Sequence, residues 1–178
     1  MRRFLISLFV LIVCLFDLSA QNQTLRVDYI FSGTDKSAEI SLDEMSCFDG
    51  WAGRRVNLND VPVRGNGQIC MVACQTGDTL YRHSFSTLFQ EWQTTEEATR
   101  VRKSFENVFL LPMPSEKAIV SVEIYDFYGN VYASLKHAVD PSDVLIRHVS
   151  KALPPFRYLL NNGGPEDKID VAILAEGY

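Results

Sequence analysis

Histidine is scarce in this chain of 178 residues: His83, His137 and His148 are the three copies, and no two of them stand four positions apart. Zinc hydrolysis built on one helix needs two histidines a helical turn apart with a glutamate between them, so that both ligands and the base share a face. That pattern is absent, and the histidines are expected as strand or surface residues. The G-x-S-x-G elbow that exposes a serine nucleophile is missing too. The stretch "GNGQIC" has neither the glycine spacing nor the lysine of a phosphate loop. Adjacent carboxylates such as Asp43-Glu44 and Glu96-Glu97 read as solvated charge rather than as a general acid and base. Cysteine is also sparse: beyond Cys14 there are only Cys47, Cys70 and Cys74, an odd number that makes no disulfide framework. On one strand Cys70 and Cys74 would lie about 13 Å apart and could not bond each other. A bridge from Cys47 to one of them stays open in an exported protein, with buried thiols the expected state. Basic charge is in deficit, 17 Lys and Arg against 22 Asp and Glu for a net charge of −5, which argues against nucleic acid or an anionic membrane as partner.

What is present begins with a leader. Arg2 and Arg3 precede an apolar run over residues 4–16, followed by the small residues Ser19 and Ala20. The run is too short to span a bilayer comfortably and has the anatomy of a secretory signal peptide cleaved after Ala20. A secreted, periplasmic or cell-surface protein with no membrane attachment after cleavage is therefore expected.

Residues 21–150 are dominated by strand-like runs separated by turn residues. "TLRVDYIFSG" places Leu25, Val27, Tyr29 and Phe31 on one face, and "SAEISLDEMSCF" continues after the turn Gly33-Thr34-Asp35-Lys36. "RGNGQICMVACQTGDTLYRHSF" reads as a hairpin around Thr76-Gly77-Asp78. The clearest hairpin is "KAIVSVEIYDFYGNVYASLKHAVD", where Val120, Val122 and Ile124 alternate with polar residues before Gly129-Asn130 and Val131, Ala133 and Leu135 alternate after it. A last strand is expected in "DVLIRHVS". One helix is predicted at "TTEEATRVRK", with Thr94 and Glu97 as a capping box and Arg100, Arg102 and Lys103 in the last turn. About eight strands at this spacing predict a mainly β protein, an antiparallel immunoglobulin-like β-sandwich with one short helix. The composition then shifts. Residues 151–167, with Pro154-Pro155, Asn161-Asn162-Gly163-Gly164 and Pro165, read as a linker. Residues 168–178, "KIDVAILAEGY", lack alternation and read as a strand buried on both faces, the opening strand of an α/β domain whose remainder this chain does not hold.

The most distinctive local patch is "CFDGWAGRRV". Trp51 between Gly50 and Gly53, followed by Arg54 and Arg55, could stack on a sugar ring or grip an acidic loop. The alternative is a core Trp plugging one end of the sandwich, which the flanking glycines favour. Trp51, Arg54 and Arg55 are thus the candidate ligand contacts, and Trp92 is expected to anchor the start of the helix.

"LRVDYIFSG", "GWAGRR", "GDTLYRHSFSTLFQEWQTTEEATR", "KSFENVFLLPMP" and above all "IDVAILAEGY" resemble the front part of secreted bacterial zinc metallopeptidases of the IgA peptidase family, the sixty-fourth metallopeptidase family. The resemblance covers residues 24–178. It implies an N-terminal β-sandwich followed by a catalytic α/β domain, with the zinc motif well beyond Tyr178. On that expectation this chain carries no catalytic residue and no cofactor of its own, the zinc belonging to the missing domain. Its partners would be the C-terminal protease domain of the same polypeptide and a protein or glycoprotein substrate. Glu176, Gly177 and Tyr178 match the start of the protease domain in a structural role. A second reading, from another class, is a free-standing exported module that binds host glycan or protein through Trp51 and its arginines.

Overall fold

The structure, a computed structural model, describes residues 23–61, 64–150, 157–163, 168–169 and 171–173. Two layers of strand make the molecule. One holds β1 (Gln23–Thr34), β2 (Ser37–Asp49), β5 (Lys103–Pro112) and β8 (Arg147–His148) in the order β5-β1-β2-β8. The other holds β3 (Gly67–Ala73), β4 (Thr79–Phe85), β6 (Ala118–Tyr125) and β7 (Val131–Val139) in the order β4-β3-β6-β7. All pairings are antiparallel except that of β8 with β2. This is the mainly β sandwich that the alternation predicts.

The pleat explains the packing, because successive side chains leave a strand on opposite faces. Leu25, Val27, Tyr29 and Phe31 of β1 are fully buried against Val120, Val122 and Ile124 of β6 and Ile69 and Met71 of β3. The Tyr29 hydroxyl crosses between the layers to His137 Nε2 at 2.6 Å. His137 Nδ1 lies 3.2 Å from the Ala138 carbonyl, which can only accept, so Nδ1 carries the proton and Tyr29 donates to Nε2. Cys47 and Cys70 are buried free thiols, and Cys74 is a free thiol at the surface.

Three features depart from the sequence reading. The helix is α1 (Leu88–Trp92), with Thr87 as its cap accepting from the Gln90 N–H, and only a 3₁₀ turn follows at Glu97–Thr99. Thr94 does not begin a helix. Its hydroxyl donates back to the Glu91 carbonyl at 2.7 Å and closes α1, as Ser and Thr hydroxyls do three residues on. The Glu97 carboxylate meanwhile accepts through Oε2 from Trp92 Nε1 at 2.8 Å and Lys103 Nζ at 2.6 Å, which turns it toward those residues rather than into a capping box. Hydrophobic burial selects the earlier segment: Phe89 is fully buried and Trp92 packs 5.5 Å from Phe105, whereas residues 94–103 bury only Ala98. Trp92 therefore ends the helix rather than anchoring its start.

The second departure is β5, a full edge strand that the alternation does not announce. The third is the last strand, reduced to Arg147–His148 with Val144 and Leu145 exposed. Of the terminal segment, the described residues 168–169 and 171–173 pair with no strand, and Ile169, Val171 and Ile173 are exposed. The leader lies outside the described residues, as do residues 151–156 and 164–167 and the end of the chain from 174. Among the described residues no helix is long and apolar enough to cross a membrane.

Candidate functional site

Gly50, at φ +90°, turns the chain out of β2 and lets Trp51 fold back over the end of the sandwich opposite α1. Trp51 is only 6% exposed, stands edge-on to Tyr81 at 5.8 Å and donates its ring N–H to the Arg54 carbonyl at 2.9 Å. A Cβ on Gly53 would sit 2.1 Å from the Trp51 ring, so the small residue is a packing requirement. The core-plug expectation for Trp51 matches this placement.

The two arginines serve the same loop. The Arg54 guanidinium lies 5.5 Å over the Tyr81 ring and donates to the carbonyls of Asn57, Leu58, Asp60 and Arg82. Its Nη donors are thereby committed to carbonyls of the protein itself, while its buried Nε has no hydrogen-bond partner among the described residues. Arg55 donates to the Trp51 carbonyl at 3.1 Å and is otherwise exposed. The structure brings the three predicted contacts together, with Trp51 and Arg54 turned inward to hold the loop.

Beside this loop lies a cleft of about 640 Å³. It exists because the two layers approach along β2 and β7 but part along the opposite side, where β5 and β4 are the edges. Phe85 and Phe109, with ring centroids 4.6 Å apart, bridge the parted edges. Trp51, Tyr81, His83, Thr87 and Asn107 add aromatic surface and polar groups to the lining. Burial, and secondarily the Arg54 charge, holds the His83 pKa below the usual histidine value, so near neutral pH His83 is a neutral donor and acceptor. No described serine or cysteine hydrogen-bonds a histidine, and no group of three or more His, Cys, Asp or Glu is placed to hold a metal among the described residues. The arrangement can bind; it shows no nucleophile paired with a base.

The backbone of β5 adds a second property. Met113 N–H donates to the Gln23 carbonyl at 3.0 Å, which puts the hydrogen-bonded pairs with β1 on the odd-numbered residues of β5. The even-numbered residues Ser104, Glu106, Val108 and Leu110 therefore turn N–H and C=O away from β1, toward the open edge. Pro112, next in that row, has no N–H to leave unpaired. Among the described residues no backbone hydrogen bond from another element meets this row. The β4 edge differs: Arg82 N–H donates to the Leu58 carbonyl at 2.8 Å, and the Arg82 carbonyl accepts from Arg54. Among the described residues, one edge is covered by the 50–60 loop and the other is bare.

Sequence reasoning passed over Asn107 and Phe109 because β5 was not recognised, and took His83 as an ordinary strand residue. The available signal was the period of two in Phe105, Asn107, Phe109 and Leu111, masked by Val108 and Leu110 between them.

A family model described as peptidase M64 N-terminus matches residues 15–136. No curated protein matches the chain.

Proposed function

That match makes the chain a member of the peptidase M64 N-terminal family and hence the N-terminal part of an M64 peptidase, and from this premise we propose that its sandwich is a non-catalytic accessory module that presents protein substrate to a protease domain of the same polypeptide. The observation that supports the reading is the cleft between β5 and β4, which offers aromatic surface, neutral polar groups and a bare strand edge without a catalytic pair. In this reading the leader exports the protein, and zinc and its ligands belong to the protease domain. The free-standing glycan or protein binder draws no support from Trp51, which is buried, or from Arg54, whose Nη donors hold carbonyls of its own loop and of β4.

The test is the gene's full reading frame. It is expected to continue past Tyr178 into an H-E-x-x-H helix, and its product to cleave protein substrates markedly more slowly once residues 21–150 are deleted, while cleavage of a short peptide is retained. A stop codon directly after Tyr178, or equal loss on protein and short peptide, would overturn the presenting role. Mass analysis of the exported protein should find Gln21 at its N-terminus.

A further inference from the structure

The bare edge and the cleft beside it specify a guest. We propose that the sandwich captures an extended polypeptide segment as an added strand on β5, in antiparallel register along Ser104 to Leu110. The inference rests on the substrate-presenting reading and names the form in which substrate is held.

The backbone sets the chemistry. Ser104, Glu106, Val108 and Leu110 offer N–H and C=O pairs at the two-residue repeat of a strand. A peptide main chain supplies acceptors and donors at that repeat, so strand addition satisfies the whole row at once. The side chains agree. In an added strand, residues opposite Phe105, Asn107 and Phe109 point into the cleft, and those opposite Glu106, Val108 and Leu110 lie on the outer face of the sheet. Val108 and Leu110 are each 49% exposed there, apolar surface that an adjacent strand would cover. The inner row would meet Phe109, Tyr81 and neutral His83, which suit aromatic or aliphatic side chains with a polar tip. Charge narrows the guest further. Glu106 projects from the edge and makes no ion pair among the described residues, so a basic residue opposite it, toward the Ser104 end of the row, is favoured.

Thickness separates a lone segment from a second copy of this chain. The 50–60 loop is bound along the outside of β4 through Arg82 and Leu58 and contributes Gly50, Trp51, Ala52 and Gly53 to the cleft wall. A second sandwich, two layers thick at its own edge, would have to displace that loop.

The experiment measures amide hydrogen exchange of the full chain with and without reduced, carboxymethylated α-lactalbumin, a permanently unfolded polypeptide. Exchange at Ser104, Glu106, Val108 and Leu110 is expected to slow at least about tenfold with the unfolded probe and not with native α-lactalbumin. Val108→Pro removes an outward donor without breaking the ladder to β1, and should weaken probe binding about tenfold or more while the melting temperature stays within a few degrees. Where that variant does not fold, a strand-forming decapeptide and its fully N-methylated counterpart replace it: the first should compete with the probe and the second should not. Protection confined to other elements, equal competition by both peptides, or slow exchange at β5 without probe in a sedimenting dimer would each overturn the proposal. Strand capture that persists while deletion of residues 21–150 leaves cleavage of protein substrate unaffected would sink the presenting role alone.

Discussion

Trp51 shows how one side chain can look like a binding group in sequence and be structural in space. The ring is enclosed by Tyr81, Gly53 and the Arg54 carbonyl, and its removal leaves a hole that the rigid ends of β1 and β4 cannot fill. Trp51→Ala should cost about 3–5 kcal/mol, read as a lowered denaturant midpoint with unchanged slope. A variant that unfolds like the parent would return Trp51 to the list of ligand contacts. The Tyr29–His137 pair makes a second prediction at this scale. Burial lowers the His137 pKa and raises that of the Tyr29 hydroxyl, so the native pair is neutral. Since the folded-state pKa of His137 lies below its ordinary value near 6.5, the unfolded chain takes up the proton first. The pair's contribution is complete above about pH 6.5 and is lost as pH falls below it. His83, shifted the same way, acts in the same window. Asp49, Glu97 and Asp126 are held below the usual carboxylate value by their hydrogen bonds, and Asp140 is held down to about 2 by Ser142 and Lys117. Urea midpoints measured from pH 8 to pH 5 should therefore decline, and His137→Gln should remove part of that slope. A flat profile in the parent would refute the assignment.

At the scale of the element, the displaced helix is the instructive case. Capping motifs are local and degenerate, so Thr87 and Thr94 both qualify by composition, and burial of Phe89 against Phe31 and Phe105 decides between them. Thr87→Ala should destabilise the protein by about 1 kcal/mol, whereas Thr94→Ala should stay within about 0.5 kcal/mol of the parent. Reversed magnitudes in thermal denaturation would restore the later helix. The strands divide in the same way. β1, β6 and the turn at Gly129, which takes φ +84°, are legible because one face of each strand is buried and the alternation is clean, and β3, buried on both faces at Ile69, Cys70 and Met71, is legible from its bounding turns. β5 is not legible, since an edge strand with apolar residues on both faces and Asn107 in its inner row matches no single period. The same irregularity is what gives the cleft its polar wall and the outer face its exposed Val108 and Leu110.

At the scale of the molecule, every buried residue among those described precedes the terminal segment. Ile146 is buried, and the Val149 N–H donates to the Cys47 carbonyl at 2.8 Å, so among the described residues the last strand to join the sandwich ends before Ser150. A chain stopped after Ser150 should melt within a few degrees of the full chain and be more soluble, because exposed Ile169, Val171 and Ile173 are removed. Stopping before Pro141 should lower the melting temperature clearly, by loss of Ile146 and the β2–β8 pairing; scanning calorimetry of both truncations checks this. The sequence by itself determined the mainly β class, the two central hairpins, the family likeness and the deficit of catalytic and metal-binding patterns, because periodicity, turn chemistry and motif spacing are properties of neighbours along the chain. Only the tertiary structure decided which threonine caps the helix, that Trp51 and Arg54 face inward, and that β5 lies bare beside a cleft. Those outcomes depend on which strands become neighbours and where two layers part, and these distances are set across the chain by packing rather than along it.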